Sequence, residues 1–180
     1  MIEARIEEAL TWIEPGPVTL IATRHGGRNN VMTISWTMAI DFDGHIVFTS
    51  GDWNYSFRAI RANRECVVCI PPASMAETVV DIGMVSGEDT DKFGKFGLTA
   101  LPAATVSAPL VKECLACLEC EVEDIVEPYG FVVMKVKRVW VNDEIEDRRI
   151  LHAVGDGTFY ADGERFDFRK RMEAKLPPGI

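Results

Sequence analysis

The sequence predicts a mainly β domain, a β-barrel with helical insertions. Three observations point there. Segments rich in Val, Ile, Thr and aromatic residues are numerous, the Gly, Pro and Asp turns between them come at short intervals, and helical patterns are inserted among them. A length of 180 residues suits a single domain, residues 1–180, with a sizeable core.

Each element follows from local chemistry. Ile2, Ile6, Ala9, Leu10 and Ile13 recur at helical spacing and Pro15 stops the run, so residues 1–14 are expected as a helix lying against the barrel. Residues 18–23 are β-branched and compact, and His25-Gly26-Gly27-Arg28 turns the chain into a strand over 30–40. Asp41-Phe42-Asp43-Gly44 leads into a strand over 45–49, making the three an antiparallel meander. A loop over 50–54 then feeds a helix over 55–63. Residues 66–70 form a strand ended by Pro71-Pro72. Ser74-Met75-Ala76-Glu77 fits a capping box for a helix to about Val85, with Val79, Ile82 and Met84 available for burial. A charged segment, 87–94, precedes a short helix through Phe96, and Pro102 and Pro109 make 99–110 irregular. Strands over 115–126 and 131–141 flank a Pro128-Tyr129-Gly130 turn. Residues 150–157 read as a loop carrying His152, and 158–166 as a hairpin turning at Asp162-Gly163. Residues 167–180 read as a tail, loosely held at its end.

Composition removes several function classes. A net charge of −9 disfavours nucleic acid, which needs a basic face, and anionic membranes. No apolar run approaches the ~20 residues of a membrane helix. The acidic, amphipathic start MIEARIEEAL is unlike a signal or transit peptide, so the expected location is cytoplasmic. The five cysteines are then expected as free thiols.

Their spacing resembles a metal motif. Cys66-x-x-Cys69 and Cys114-x-x-Cys117-x-x-Cys120 have ligand-like intervals, but Asp124 stands where an iron–sulfur pattern needs a fourth cysteine. Residues three apart on a strand point to opposite faces, so Cys66 and Cys69 are expected to be buried small hydrophobes rather than joint ligands. The histidines form no H-x-x-x-H pair; His25 and His45 are expected in water, and His152 either structural or beside a ligand. G-x-S-x-G, G-x-G-x-x-G and the P-loop are absent, leaving serine hydrolase, Rossmann and P-loop chemistry without an anchor.

What remains is a corner rich in hydroxyls and amides. Asn30, Thr33 and Ser35 lie on one strand, and Thr49, Ser50, Asn54 and Ser56 gather where the next feeds a helix N-terminus. Hydroxyl donors beside unpaired backbone N–H groups suit a phosphate. The same Asn54 or Ser56 would equally serve as an ordinary helix cap. Arg58 and Arg61 are available to an anion or to solvent, and Trp36, Trp53 and Tyr55 offer flat surfaces for a cofactor ring.

Several stretches, taken in order, resemble the flavin reductase-like FMN-binding split-barrel family, in its flavoredoxin-type branch. They are Pro17-Val18-Thr19-Leu20-Ile21, Asn30-Val31-Met32-Thr33-Ile34-Ser35-Trp36, and Asn54-Tyr55-Ser56 with Ile60 and Asn63. Gly87-Glu88-Asp89-Thr90-Asp91-Lys92-Phe93, then Gly97-Leu98-Thr99, and Gly155-Asp156-Gly157-x-Phe159-Tyr160 continue the likeness. The resemblance implies an FMN-binding split β-barrel, a homodimer with flavin near the interface. It implies that Asn30, Met32, Thr33, Ile34, Ser35 and Trp36 lie along the ring. Thr49, Ser50, Asn54, Tyr55 and Ser56 would hold the phosphate end, with Lys92 near cofactor or donor and Phe93 and His152 on the substrate side. NADH, NADPH or a redox protein partner would supply electrons. Flavin carries the redox chemistry itself, so the lack of a catalytic triad or carboxylate pair is expected. The rival readings are an electron carrier with the same FMN but no direct NAD(P)H turnover, and a cysteine–metal protein without flavin.

Overall fold

The structure, a computed structural model, describes residues 16–172 and 175. The expected N-terminal helix and nearly all of the tail beyond 172 lie outside the described residues.

The β-branched run beginning at Val18 pairs with the strand that follows the Gly-Gly turn. Thr19–His25 (β1) and Arg28–Ile34 (β2) run antiparallel, with Thr19 opposite Ile34 and His25 opposite Arg28. The expected single strand over 30–40 does not form. Pairing stops at Ile34 and resumes at Thr37–Ala39 (β3), which pairs with His45–Thr49 (β4). With Glu65–Ile70 (β5), Ala116–Val126 (β8) and Phe131–Val141 (β9), these strands make one seven-stranded antiparallel sheet in the order β2-β1-β5-β8-β9-β4-β3. β2 and β3 are therefore its two edges, and the expected meander is corrected to a closure. The backbone at Ser35 and Trp36 carries the chain from one edge of the curled sheet to the other. Thr19 Oγ1 donates to Ile34 O, and Thr37 Oγ1 lies 3.0 Å from Thr19 Oγ1 across that seam. Period-2 alternation runs straight through the break, so it cannot report a change of partner.

Two apolar layers result, because adjacent strand residues face opposite sides. Ile21, Met32, Phe48, Val68, Val132 and Met134 fill the barrel interior with Phe57 and Ile60 of helix α1 (Tyr55–Asn63). Leu20, Val31, Val67 and Leu151 form an outer layer with Val79 and Ile82 of α2 (Ala76–Gly83) and Phe93 of α3 (Lys92–Phe96). Each such side chain contributes about 1.5–3 kcal/mol on burial. The cysteines divide between the layers. Cys66 and Cys120, opposite one another on β5 and β8, face inward, whereas Cys69, Cys117 and Cys114 face outward. Cys117 Sγ lies 3.4 Å from Cys69 Sγ, and all five thiols are free and buried. Burial pushes the Cys66 and Cys69 thiols up and that of Cys120 to about 12; Cys117 is raised by its bond to Cys69 and by burial.

Other expectations are corrected locally. Ser74 caps nothing: a 3-10 turn, Ala73–Met75, precedes α2, and neither turn nor helix has a side-chain cap. The serine sits inside that turn rather than in the extended conformation an N-cap needs. Met84 follows α2 and is 77% exposed, while Val79 and Ile82 are buried as expected. The last hairpin pairs Leu151–Ala153 (β10) with Phe159–Ala161 (β11) and turns at 154–158, not at Asp162-Gly163. Gly155 and Gly157 supply the positive φ the turn needs, 98° and 90°. Asp162 instead accepts from Ile150 N and pairs with His152 Nε2 at 2.7 Å. His45 is not free in water: it is half-buried, with Nδ1 on Asp41 and Nε2 3.3 Å from Glu123.

Residues 99–110 are irregular apart from a two-residue ladder, Ala100–Leu101 (β6) with Leu110–Val111 (β7). They are held by carboxylates. Glu119, fully buried on β8, accepts from Ala104 N at 2.8 Å, Thr105 N at 2.6 Å and Trp140 Nε1 at 2.6 Å. These donors outweigh desolvation and lower its pKa to about 2. Helix α4, Arg169–Met172, ends the continuous described stretch.

Candidate functional site

Edge strand β2, the start of α1 and the segment after α2 enclose a cavity of about 290 Å³. Strand alternation turns Asn30 and Met32 toward α1, and Thr33, on the opposite side, donates from Oγ1 to Val79 O at 2.6 Å, tying β2 to α2. That tie brings Gly83, Met84, Val85, Ser86 and Gly87 across from Asn54, Tyr55 and Ser56. Lys92, from the first turn of α3, reaches in from below. A second cavity of about 130 Å³ shares Asn30, Tyr55 and Ser56 and adds Thr23, His25, Arg28 and Arg58.

The helix N-terminus is open to a ligand. Asn54 occupies the N-cap but makes no side-chain cap; its Nδ2 donates to Ser50 Oγ at 3.2 Å. No acidic residue lies in the first turn of α1, so its N–H groups keep their attraction for an anion.

Lys92 gives the cavity its charge. It is only 4% exposed, and its one hydrogen bond among the described residues runs from Nζ to Ile82 O at 2.9 Å. With no carboxylate partner there, burial lowers its pKa to about 8. Such an ammonium has donors to spare and no counter-charge. The arginines are partly engaged: Arg28 Nη1 donates to Glu88 O at 3.2 Å and Arg58 Nη1 lies 3.3 Å from Glu88 Oε1. Arg61 points away, paired with Glu127 at 3.0 Å and Asp52 at 3.4 Å, so that acid is turned from the cavity.

The polar lining contains an unmet acceptor. Asn30 Nδ2 donates to Ser56 Oγ at 2.8 Å, while the buried Oδ1 has no partner among the described residues. A Cβ added at Gly87 would lie 2.2 Å from that oxygen, so a side chain there would collide with the Asn30 amide and glycine lets the two segments pack this closely.

Of the residues expected around a cofactor, Asn30, Met32, Thr33, Asn54, Tyr55, Ser56 and Lys92 come together on this lining. Ile34 packs toward the barrel interior, Ser35 and Trp36 lie at the closure, and Thr49 N donates to Trp36 O. Ser50 is fully buried behind Asn54, Phe93 sits in the outer apolar layer, and His152 belongs to the β10–β11 hairpin. Sequence reasoning did not place Gly83, Met84, Val85, Ser86, Gly87, Arg28 or Thr23 at the site. Only Gly87, at the head of the segment quoted with Lys92, carried a local signal.

The residues present fit a flat ligand with a polar, anionic tail: apolar and aromatic surface from Met32, Trp53 and Met84, hydrogen-bonding groups at the seam, and cations at Lys92, Arg28 and Arg58.

A family model described as "Flavin reductase like domain" matches residues 13–163. Among curated proteins, uncharacterized protein YddH of Escherichia coli strain K12 is 29% identical over 183 residues, spanning 91% of this chain and 96% of that protein. Flavoredoxin of Desulfovibrio vulgaris (Miyazaki F) superposes with a TM-score of 0.78 at 24% identity, covering 85% of this chain and 90% of its own. The FMN-binding domain of a flavin reductase-like enzyme from Shewanella baltica OS155 gives 0.78 at 23% identity, covering 91% and 95%.

Proposed function

The chain belongs to the flavin reductase-like domain family, and from that premise we propose that it binds FMN in the cavity between β2, α1 and residues 83–87 and moves electrons through it. The observation that carries this reading is Lys92, a buried ammonium aimed into a partly apolar cavity with no carboxylate beside it. A ligand with delocalised or fixed negative charge supplies what the protein leaves out.

Met32, Trp53 and Met84 would flank the ring; Ser56, Asn54, Arg28 and Arg58, with the first turn of α1, would hold the phosphate. Thr49 and Ser50 stand behind that end rather than against it, Ser50 acting through Asn54. When bound, FMN supplies the two-electron chemistry. The chain's own part is to hold the ligand, to keep water from it and to keep a positive charge at Lys92 Nζ, which favours the ligand as it gains electrons.

The finer reading is an oxidoreductase that takes hydride from NADH or NADPH; the second is a flavoredoxin-type carrier reduced by a redox protein. The likeness to flavoredoxin supports keeping both. Anaerobic addition of NADH or NADPH to FMN-loaded protein separates them. Bleaching of the flavin band within the turnover time supports the oxidoreductase, and no bleaching with either nucleotide supports the carrier. Failure to bind FMN in a titration would remove both.

A homodimer is part of the same proposal. Trp36, Met38 and Ile40 are exposed on and beside edge strand β3 (Thr37–Ala39), where Met38 lies in register with the buried Val47 and, through it, the half-buried Val133. Three exposed apolar side chains beside a sheet edge suit a second copy of the chain.

A further inference from the structure

We propose that Cys69 and Cys117 form a reversible dithiol–disulfide pair that ties the sheet together where the chain leaves it to build α2 and α3. The pairing geometry comes first. The two residues lie directly opposite one another on β5 and β8, and Cys117 Sγ stands 3.4 Å from Cys69 Sγ. Their register runs without a shift from Glu65 opposite Glu121 to Ile70 opposite Ala116, and Val122 N donates to Arg64 O. Backbone groups alternate in direction along a strand, so Val122, Cys120 and Leu118 turn theirs to β5 and Cys117 does not. Cys69 and Cys117 are therefore a pair with no backbone hydrogen bond between them. In that pair type the Cα atoms approach to about 4.5 Å and the side chains come closest, within reach of a disulfide. Cys66 and Cys120 are the wider, hydrogen-bonded type. Their thiols go elsewhere, Cys66 Sγ to Met134 Sδ and Cys120 Sγ to Leu118 O, both at 3.4 Å.

Access and topology give the pair a role. A cavity of about 280 Å³ at the start of β8 is lined by Cys117 and Cys114 with Leu110, Val111 and Trp140. Cys117 is thus the thiol that meets a small molecule, and Cys69, fully buried, is the one that resolves. β5 ends at Ile70 and β8 begins at Ala116, with α2, α3 and residues 83–87 on the excursion between them. A bond from 69 to 117 closes that excursion at its base. The co-reactant is a small aliphatic disulfide, RS–SR, suited to the apolar lining. Cys117 thiolate attacks it, the S–S bond breaks, Cys117–S–SR forms and RS⁻ leaves. Cys69 thiolate then attacks the Cys117 sulfur, and a second RS⁻ leaves. Two protein thiols are oxidised, RS–SR is reduced to two RSH, and the protein's two protons pass to the leaving groups. Burial and the bond to Cys69 hold the Cys117 thiol above its ordinary range, so exchange is slow at neutral pH and quickens as pH rises. The reduced pair has no stabilised thiolate to favour it, so the bond persists until a strong dithiol reductant is supplied.

The test equilibrates the reduced, folded wild type with excess hydroxyethyl disulfide at pH 8, quenches with acid and maps the unreduced peptides by mass spectrometry. The expected product is lighter by two hydrogens and carries one bridge, Cys69 to Cys117. Cys66, Cys114 and Cys120 should still alkylate once the protein is unfolded. The bridged protein should unfold at a higher urea concentration than the reduced one, and dithiothreitol should reverse both changes. Cys69→Ala should stop at a mixed disulfide on Cys117. No bridge in the folded protein, when the same treatment in urea yields bridges, would overturn the proposal. A bridge through Cys114, or between Cys66 and Cys120, would overturn the pairing. An unchanged urea midpoint in the bridged protein would overturn the tie across the base of the excursion. The wild type carries these outcomes by itself, so they stand whether or not the variant folds, and none depends on flavin.

Discussion

In the sequence Lys92 is placed near a cofactor only by the resemblance of its segment, residues 87–93, to the family. Its role depends on α3 carrying it under α2, where Ile82 O is its one described partner. The sign of its pH effect is fixed by burial. Its folded pKa, lowered to about 8 from 10.5, means that the proton is lost in the folded protein first as pH rises. FMN affinity is therefore expected to hold steady from pH 6 to 7.5 and to fall above about pH 8, by up to about tenfold per unit. In Lys92→Met the profile should be flat and affinity lower at pH 7; a wild-type profile that stays level to pH 9.5 would remove Lys92 from the ligand. Cys117 is the contrasting case. Its ligand-like spacing is a by-product of strand geometry, since Cys69 faces it across the β5–β8 pair at 3.4 Å while Cys66 and Cys120 face the other way. Cys117→Ser places a hydroxyl in an apolar layer, so it should cost about 1–2 kcal/mol in a denaturant melt and leave FMN affinity unchanged. Loss of flavin binding in a folded variant would contradict the packing role.

At the scale of elements, the helix over 55–63 and the strand over 131–141 were read to the residue. Both carry strong local signals: a polar N-terminal boundary in one, a long β-rich run after Pro-Tyr-Gly in the other. The irregular stretch 99–110 shows the opposite situation. Its proline breaks were visible, but what holds it is Glu119 on a distant strand. Removing that carboxylate leaves four donors, Ala104 N, Thr105 N, Thr105 Oγ1 and Trp140 Nε1, without their acceptor, so Glu119→Ala is expected to cost about 3 kcal/mol, measured by urea unfolding at pH 7. Because the folded pKa is depressed from 4.5 to about 2, this contribution is present above about pH 4.5 and lost as pH falls toward 2. Wild type and Glu119→Ala should converge in stability over that window. The wrongly expected capping box at Ser74 and turn at Asp162-Gly163 share one cause: a short motif states what a residue can bond, and the neighbouring backbone decides whether it does.

For the whole molecule, closure of the sheet determines both the site and its surface. The chain passes from β2 to β3 through Ser35 and Trp36, so Asn30, Met32 and Thr33 of β2 line the cavity before the passage, while Trp36, Met38 and Ile40 are exposed in and beyond it. If these cover one another in a dimer, sedimentation velocity should give a mass near twice 20.0 kDa. Trp36→Glu with Met38→Lys should then shift the protein toward the monomer, since charge buried in an apolar interface is strongly disfavoured. A wild type that sediments as a monomer at tens of micromolar would refute this arrangement.

By itself, the sequence determined the β-rich class, the strongest strand and helix intervals, and the polar corner from Asn30 to Ser56 that marks half of the cavity. These are recorded in nearest-neighbour terms: side-chain alternation, turn residues, helix ends. Tertiary structure alone decided that β2 and β3 are opposite edges of one sheet, that residues 83–87 face that corner, and that Asn30 Oδ1 is buried beside Gly87 with no partner among the described residues. Contacts between residues 30 and 87 depend on the twist and closure of a sheet whose pairings span the whole chain, and no local pattern encodes the sum of those rotations.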